Sequence, residues 1–194
     1  MSKIIVVFST NSGSTGEVAE AVAAELTQAG HSVDVKLIKD TTDLSDYDAV
    51  VVGAPMIFGW QNSARDFVRR HRAELAGKKT AYFSCAMRAT QVPGEKLPSV
   101  ALTLDPNLVT GPQKPGSLTI KERFTTLGYY LKPMLQTAPE VKPVNVAFFN
   151  GRLEMYRLKW WQAAFVMIVV QAPPGDYRDW DTIKAWGKML GAIL

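Results

Sequence analysis

Apolar and polar positions along the chain alternate in blocks that predict strands and helices in turn. KIIVVF at 3–8 is apolar almost without interruption, the pattern of a strand covered on both faces. TGEVAEAVAAELTQAG at 15–30 puts Val18, Val22 and Leu26 at helical spacing and closes on Gly30, so it predicts a helix. SVDVKLI (32–38) alternates like an edge strand, and DAVVVGAP (48–55) reads as a buried strand. SARDFVRRHRAEL (63–75) is an amphipathic helix, and KTAYFSCA (79–86) a further strand. TIKERFTTLGYYLKPML (119–135) resumes a helical pattern before PVNVAFFNG (143–151), the fifth strand.

Five strands joined by helical crossovers predict an α/β fold with a parallel sheet covered on both faces. Residues 88–118 break the rhythm, being rich in proline and glycine with little periodicity, and read as an excursion between strands four and five. With 194 residues, 47% of them hydrophobic, the chain can bury one full core. The expectation is a single domain over 1–194, with an insertion at about 88–142. In open sheets of this kind ligands bind beyond the carboxyl ends of the strands, so the informative residues should follow strands.

STNSGST, residues 9–15, follows the first strand directly. It offers the hydroxyls of Ser9, Thr10, Ser12, Ser14 and Thr15 and the Asn11 amide around Gly13. A single Ser or Thr there would serve as a helix cap. Five hydroxyls in seven positions, with the N–H groups of a helix N-terminus, instead suit a phosphate held without a lysine. No GKS, GKT or G-x-G-x-x-G occurs at this place, which argues for a monophosphate over a P-loop or dinucleotide site.

Thr10, Ser12, Gly13 and Thr15 fill the Thr/Ser-x-Thr/Ser-Gly-x-Thr form of the flavodoxin loop, and the chain resembles flavodoxin-like proteins. The resemblance implies a three-layer sandwich with strand order 2-1-3-4-5 and bound FMN, its phosphate held by residues 9–15. It implies two further flavin loops. In the first, Pro55, Met56, Ile57, Phe58, Gly59 and Trp60 would border the ring, with Trp60 stacking on it. In the second, Ser84, Cys85, Ala86, Met87 and Arg88 would meet the ring edge, a positive Arg88 favouring the anionic reduced form. FSTNSGST, VVVGAPMIFGWQNSARDFVRRH and FFNGRLEMYRLKWW with YRDWDTIKAWGKML resemble the bacterial menaquinone-dependent protoporphyrinogen IX dehydrogenases in particular. This implies an oxidoreductase of heme biosynthesis passing electrons from a porphyrinogen, or another small-molecule substrate, through FMN to a quinone or redox-protein acceptor. The segment at about 90–118 is longer than in that family, which bears on substrate identity. No catalytic acid or base is indicated.

Charge bears on the alternatives. Electron-carrying flavodoxins are typically acidic, whereas this chain has a net charge of +4 and basic clusters RRHR (69–72) and KK (78–79), which suit an anionic substrate or lipid surface. Nothing points to nucleic acid. A flavodoxin-like electron carrier, an NAD(P)H-dependent quinone or small-molecule reductase and a non-enzymatic binding module remain alternatives. Ala163 to Val170 is an apolar run far short of a bilayer span. Between Arg157, Lys159, Trp160 and Trp161 and this run, 156–171 suits peripheral contact at the inner face of the cell membrane; burial in the core or in a homodimer is the competing expectation. Cys85 is the only cysteine, and no Cys/His cluster suggests a metal. It is expected to be inert and partly buried, His31 and His71 to lie on the surface, and the protein to be cytoplasmic.

Overall fold

The computed structural model of the chain describes residues 1–56, 59–153 and 173–194. In chain order its elements begin with β1 (Lys3–Phe8), α1 (Ser14–Gln28), β2 (Ser32–Leu37), β3 (Ala49–Pro55), α2 (Asn62–Arg70), α3 (Arg72–Ala76) and β4 (Lys79–Ala86). Then follow β5 (Ala89–Thr90), β6 (Leu102–Leu104), β7 (Val109–Thr110), α4 (Ile120–Arg123) and α5 (Leu127–Gln136). The last are β8 (Asn145–Asn150), β9 (Arg152–Leu153), β10 (Gly175–Asp176) and α6 (Trp180–Ile193).

The central sheet runs β2-β1-β3-β4-β8-β6, with every neighbouring pair parallel. Its first five strands follow the expected 2-1-3-4-5 order, β8 standing as the fifth. The sixth strand was not expected. Leu102–Leu104 pairs with Val146–Phe148 on the outer side of β8. A three-residue strand between Pro98 and Pro106 is too short to show a period.

Strand side chains alternate between two cores, which is why the runs are apolar throughout. Ile4, Val6, Val51, Phe83 and Phe149 pack under α1 and α6. Ile5, Val7, Val50, Val52, Tyr82 and Phe148 pack under α2 and α5. Gly53 pairs with Phe83, and a Cβ at Gly53 would fall 2.0 Å from the Phe83 ring, so only glycine admits that ring across the sheet. On that same face, α6 lies close against α1 because Gly187 and Gly191 present no side chain to Glu25 and Ala29.

Two expected helices are each divided. The 119–135 pattern becomes α4 and α5 because Thr126 opens a new helix, its hydroxyl accepting from the Tyr129 N–H. The 63–75 pattern breaks at His71. That histidine is buried, not on the surface: it packs on Phe67 at 4.6 Å between ring centroids and its Nδ1 lies 2.9 Å from Glu74. His31 is half-buried, with the Ser2 N–H on its Nδ1 and its Nε2 against the Gly191 carbonyl. Among the described residues, no helix is long and apolar enough to cross a membrane. The apolar run 163–170 and the 156–171 segment lie outside the described residues.

Candidate functional site

Because the sheet is parallel, the carboxyl ends of β1, β3, β4, β6 and β8 share one rim, and the loops leaving them converge there. The first loop is held from inside. The Ser9 N–H donates to the Gly53 carbonyl at 3.0 Å, and the Gly13 N–H donates to the Thr10 hydroxyl at 2.8 Å. Gly13, at φ +93°, turns the chain into α1 without any side-chain cap, a left-handed conformation that costs glycine nothing. The loop therefore delivers an uncapped 15-residue helix to the rim, where its first-turn N–H groups and positive dipole end suit an anion. Asn11 is exposed, and Ser9, Thr10, Ser12 and Gly13 are half-buried, whereas the Ser14 and Thr15 side chains are buried. Those two contribute backbone to the rim more than hydroxyls.

A residue not singled out from sequence, Gln61, ties the first loop to the second. Its Oε1 accepts from the Ser9 hydroxyl at 2.8 Å, and its Nε2 donates to Asn11 Oδ1 at 3.1 Å. The second loop closes on itself through a Met56–Trp60 bridge and the Gln61 N–H on the Pro55 carbonyl, with Gly59 at φ +121°. Ile57 and Phe58 lie outside the described residues. Trp60, expected to stack on a ligand, is placed differently: it is 2% exposed and packs on Tyr82 with centroids 5.2 Å apart. Its place in the chain after β3 does not distinguish the two orientations. Between the two loops and the start of α2 lies a cavity of about 530 Å³, lined by Asn11, Pro55, Gly59 to Ser63 and Arg65.

The third loop is more deeply embedded than expected. Ser84 is buried, its hydroxyl donating to the Ala54 carbonyl at 2.9 Å, and Ala86 is buried at the strand end. Cys85 is fully within the core, so its side chain is not presented to a ligand's edge. Burial pushes its thiol up to about 12, against the opposing effects of the Thr15 hydroxyl and the Arg178 charge. Met87 and Arg88 alone are half-buried. The raised value favours the protonated thiol in the folded state, so its contribution to stability is whole below the ordinary thiol value and falls as pH climbs from about 9 toward 12. Ellman's reagent at pH 8 is expected to label the native protein far more slowly than the urea-unfolded chain; equal rates would contradict this burial.

Residues from the long excursion clamp the third loop. The Tyr130 hydroxyl donates to the Arg88 carbonyl at 3.0 Å, and the Thr90 N–H donates to the Thr125 carbonyl at 2.7 Å. The Arg88 guanidinium lies 3.9 Å from the buried Glu122. N–H groups of Gln113 and Thr119, the Thr119 hydroxyl and then Arg88 hold that carboxyl below the usual range.

Two charged groups that sequence reading missed secure the far side of the rim. Asp105, fully buried after β6, accepts N–H bonds from Asn107 at 2.8 Å, Asn150 at 2.9 Å and Asp179 at 3.4 Å. Beside the first turn of α1, Glu17 receives a bidentate bond from Arg152 and a third from Arg178, which also clasps Asp176. A lone Asp in a Pro-rich stretch and an Arg near the C-terminus carry no pattern that marks them.

This phosphate-ready turn at the switch point of a 2-1-3-4-5 sheet agrees with a family model described as Flavodoxin domain, which matches residues 5–179. The chain belongs to the flavodoxin domain family. It is 24% identical to the protoporphyrinogen IX dehydrogenase (quinone) of Escherichia coli K12 over 98% of this chain and 96% of that protein. Among solved structures it is similar to oxidised flavodoxin 1 of Bacillus cereus, with a TM-score of 0.54 at 15% identity over 99% of both chains. It is also similar to the two-electron reduced flavodoxin of Megasphaera elsdenii, with a TM-score of 0.52 at 14% identity over 97% of this chain and 98% of that one. As a flavodoxin-domain protein it is an FMN-binding oxidoreductase fold. The site fits that cofactor: the left-handed Gly13, the uncapped α1 and the adjoining cavity form a donor-rich cradle of suitable chemistry.

Proposed function

We propose that this flavodoxin-domain protein oxidises a porphyrinogen-type substrate and passes the electrons to a quinone. The observation that carries the reading is the similarity to the Escherichia coli protoporphyrinogen IX dehydrogenase (quinone) along nearly the whole of both chains. When bound, FMN supplies the two-electron acceptor chemistry. Residues 9–15 anchor its phosphate, mainly through α1 backbone N–H groups, with Thr10 fixing the turn and Gln61 holding the loop against its neighbour. Residues 55–60 and 84–88 flank the ring; Trp60, Ser84 and Cys85 act there as packing and backbone, while Arg88 offers a positive charge to the ring or to a substrate carboxylate. The net charge of +4 suits the carboxylates of such a substrate. It also suits contact of 156–171 with the inner face of the cell membrane, where a lipid-soluble quinone is met, in an otherwise cytoplasmic protein. Flotation with anionic liposomes tests that contact, and a non-floating homodimer that buries the segment would refute it.

The FMN-loaded protein is expected to oxidise protoporphyrinogen with a menaquinone analogue, followed by porphyrin fluorescence. Turnover with NAD(P)H and none with porphyrinogen would move the assignment to a quinone reductase; turnover with neither would favour an electron carrier. Replacing Thr10 and Thr15 together with alanine should weaken FMN retention about tenfold, because it removes the hydroxyl that fixes the Gly13 turn and the buried hydroxyl in the first turn of α1, and so loosens the backbone N–H cradle. Unchanged retention would remove the phosphate-loop assignment.

A further inference from the structure

The first loop meets an anion without a cation of its own: STNSGST contains no Lys or Arg. The basic residues on its α1 side, Arg152 and Arg178, are paired with Glu17 and Asp176 among the described residues. Across the cavity the balance is different. α2 is a nine-residue helix whose first turn carries no acidic residue and whose N-cap makes no side-chain bond. Arg65 stands in that turn, where a helix dipole ordinarily disfavours a cation. No carboxylate lies within ion-pair distance of Arg65 among the described residues, and its Nε is buried without a partner. Trp60, 2% exposed and lining the same cavity, has an indole N–H with no acceptor, and the buried Ser63 hydroxyl has no partner either. Asn11 of the first loop lines this cavity with them.

We propose that Arg65 is the counter-cation of the FMN phosphate, so that the group is held from two sides: by α1 and its loop, and by the first turn of α2. The inference rests on the FMN-binding reading and adds a residue to it. A dianionic oxyanion in the cavity would be met by the Arg65 guanidinium and would offset the placement of a cation at a helix N-terminus. Arg65 binds the cofactor's phosphate in this account and takes no part in the chemistry at the ring.

Riboflavin lacks the phosphate and separates this role from every other effect on the flavin. Apoprotein affinities for FMN and riboflavin are measured by flavin fluorescence quenching in the wild type, Arg65→Gln and Arg65→Lys, at low and high salt. Arg65→Gln should lose about tenfold or more in FMN affinity with riboflavin affinity unchanged, and its FMN binding should become less salt-sensitive. Arg65→Lys should recover part of the loss, because it keeps the charge without the planar fork. An equal change for both flavins, or an unchanged FMN-to-riboflavin ratio, would overturn the proposal. A wild type that binds neither flavin would instead overturn the FMN-binding reading on which it rests.

Discussion

Replacing Asp105 with alanine should destabilise the protein by about 3–5 kcal/mol, the cost of removing a buried carboxylate from the groups that depend on it. Asp105 is 0% exposed and accepts from three backbone N–H groups belonging to three separate segments: Asn107 within the excursion, Asn150 at the end of β8, and Asp179 at the cap of α6. Asp179 in turn caps α6 through the Thr182 N–H. The Asp105 backbone also donates to the Phe148 carbonyl, so truncation strips the carboxylate from an otherwise intact edge. For a chain of this size the loss corresponds to a fall in Tm of roughly 8–15 °C. Asparagine in its place keeps the volume but has only one acceptor oxygen, and it should lie between wild type and alanine. A melting temperature within about 2 °C of wild type in Asp105→Ala would show that the carboxylate does not join these segments.

The second large effect concerns Arg178. Its side chain is 1% exposed, stacks on Trp180 at 4.4 Å, and reaches Asp176, Glu17 and the Ser14 carbonyl. It thus fastens the C-terminal segment to the first turn of the helix that ends the phosphate loop. Arg178→Met, which keeps the volume of the stem, should cost about 2–3 kcal/mol. That is below the value for a fully buried pair because Glu17 and Asp176 are roughly two-fifths exposed. The Arg178 hydrogen bonds hold the Asp176 carboxyl below the usual range. A depressed carboxyl stabilises the fold above its ordinary value, near pH 4, and that contribution is lost as pH falls through the lowered value. Urea midpoints taken between pH 7 and pH 3 should therefore fall less steeply in Arg178→Met than in wild type. Parallel profiles would mean that the Arg178–Asp176 pair carries no linked stability.

The sheet was readable because its strands are buried on both faces: KIIVVF and AVVVGAP have no other stable use in water. The phosphate turn was readable because its composition departs so far from a simple cap. Orientation was not readable. Trp60 follows β3 as a stacking residue would, yet its ring lies against Tyr82 in the core, and nothing in the linear order distinguishes the two placements. Cys85 and Ser84 likewise end a strand covered on both sides, so residues expected at a ligand's edge are interior. Contributions from distant segments escaped for a different reason. Asp105, Gln61 and Arg178 act through partners 45 to 161 residues away or through a short strand with no period, and such pairings exist only once the chain is folded. α6 begins in YRDWDTIKAWGKML, and its close contact with α1 depends on Gly187 and Gly191, which weaken a helix in isolation.

The most direct test of the account is an anaerobic absorbance experiment on the FMN-loaded protein, adding protoporphyrinogen first and a menaquinone analogue second. The expected result is a flavin band that bleaches with the porphyrinogen and returns with the quinone. A flavin band that stays oxidised in excess porphyrinogen, while other reductants bleach it, would contradict the proposed reaction and leave an FMN-binding flavodoxin-domain protein with a different electron donor.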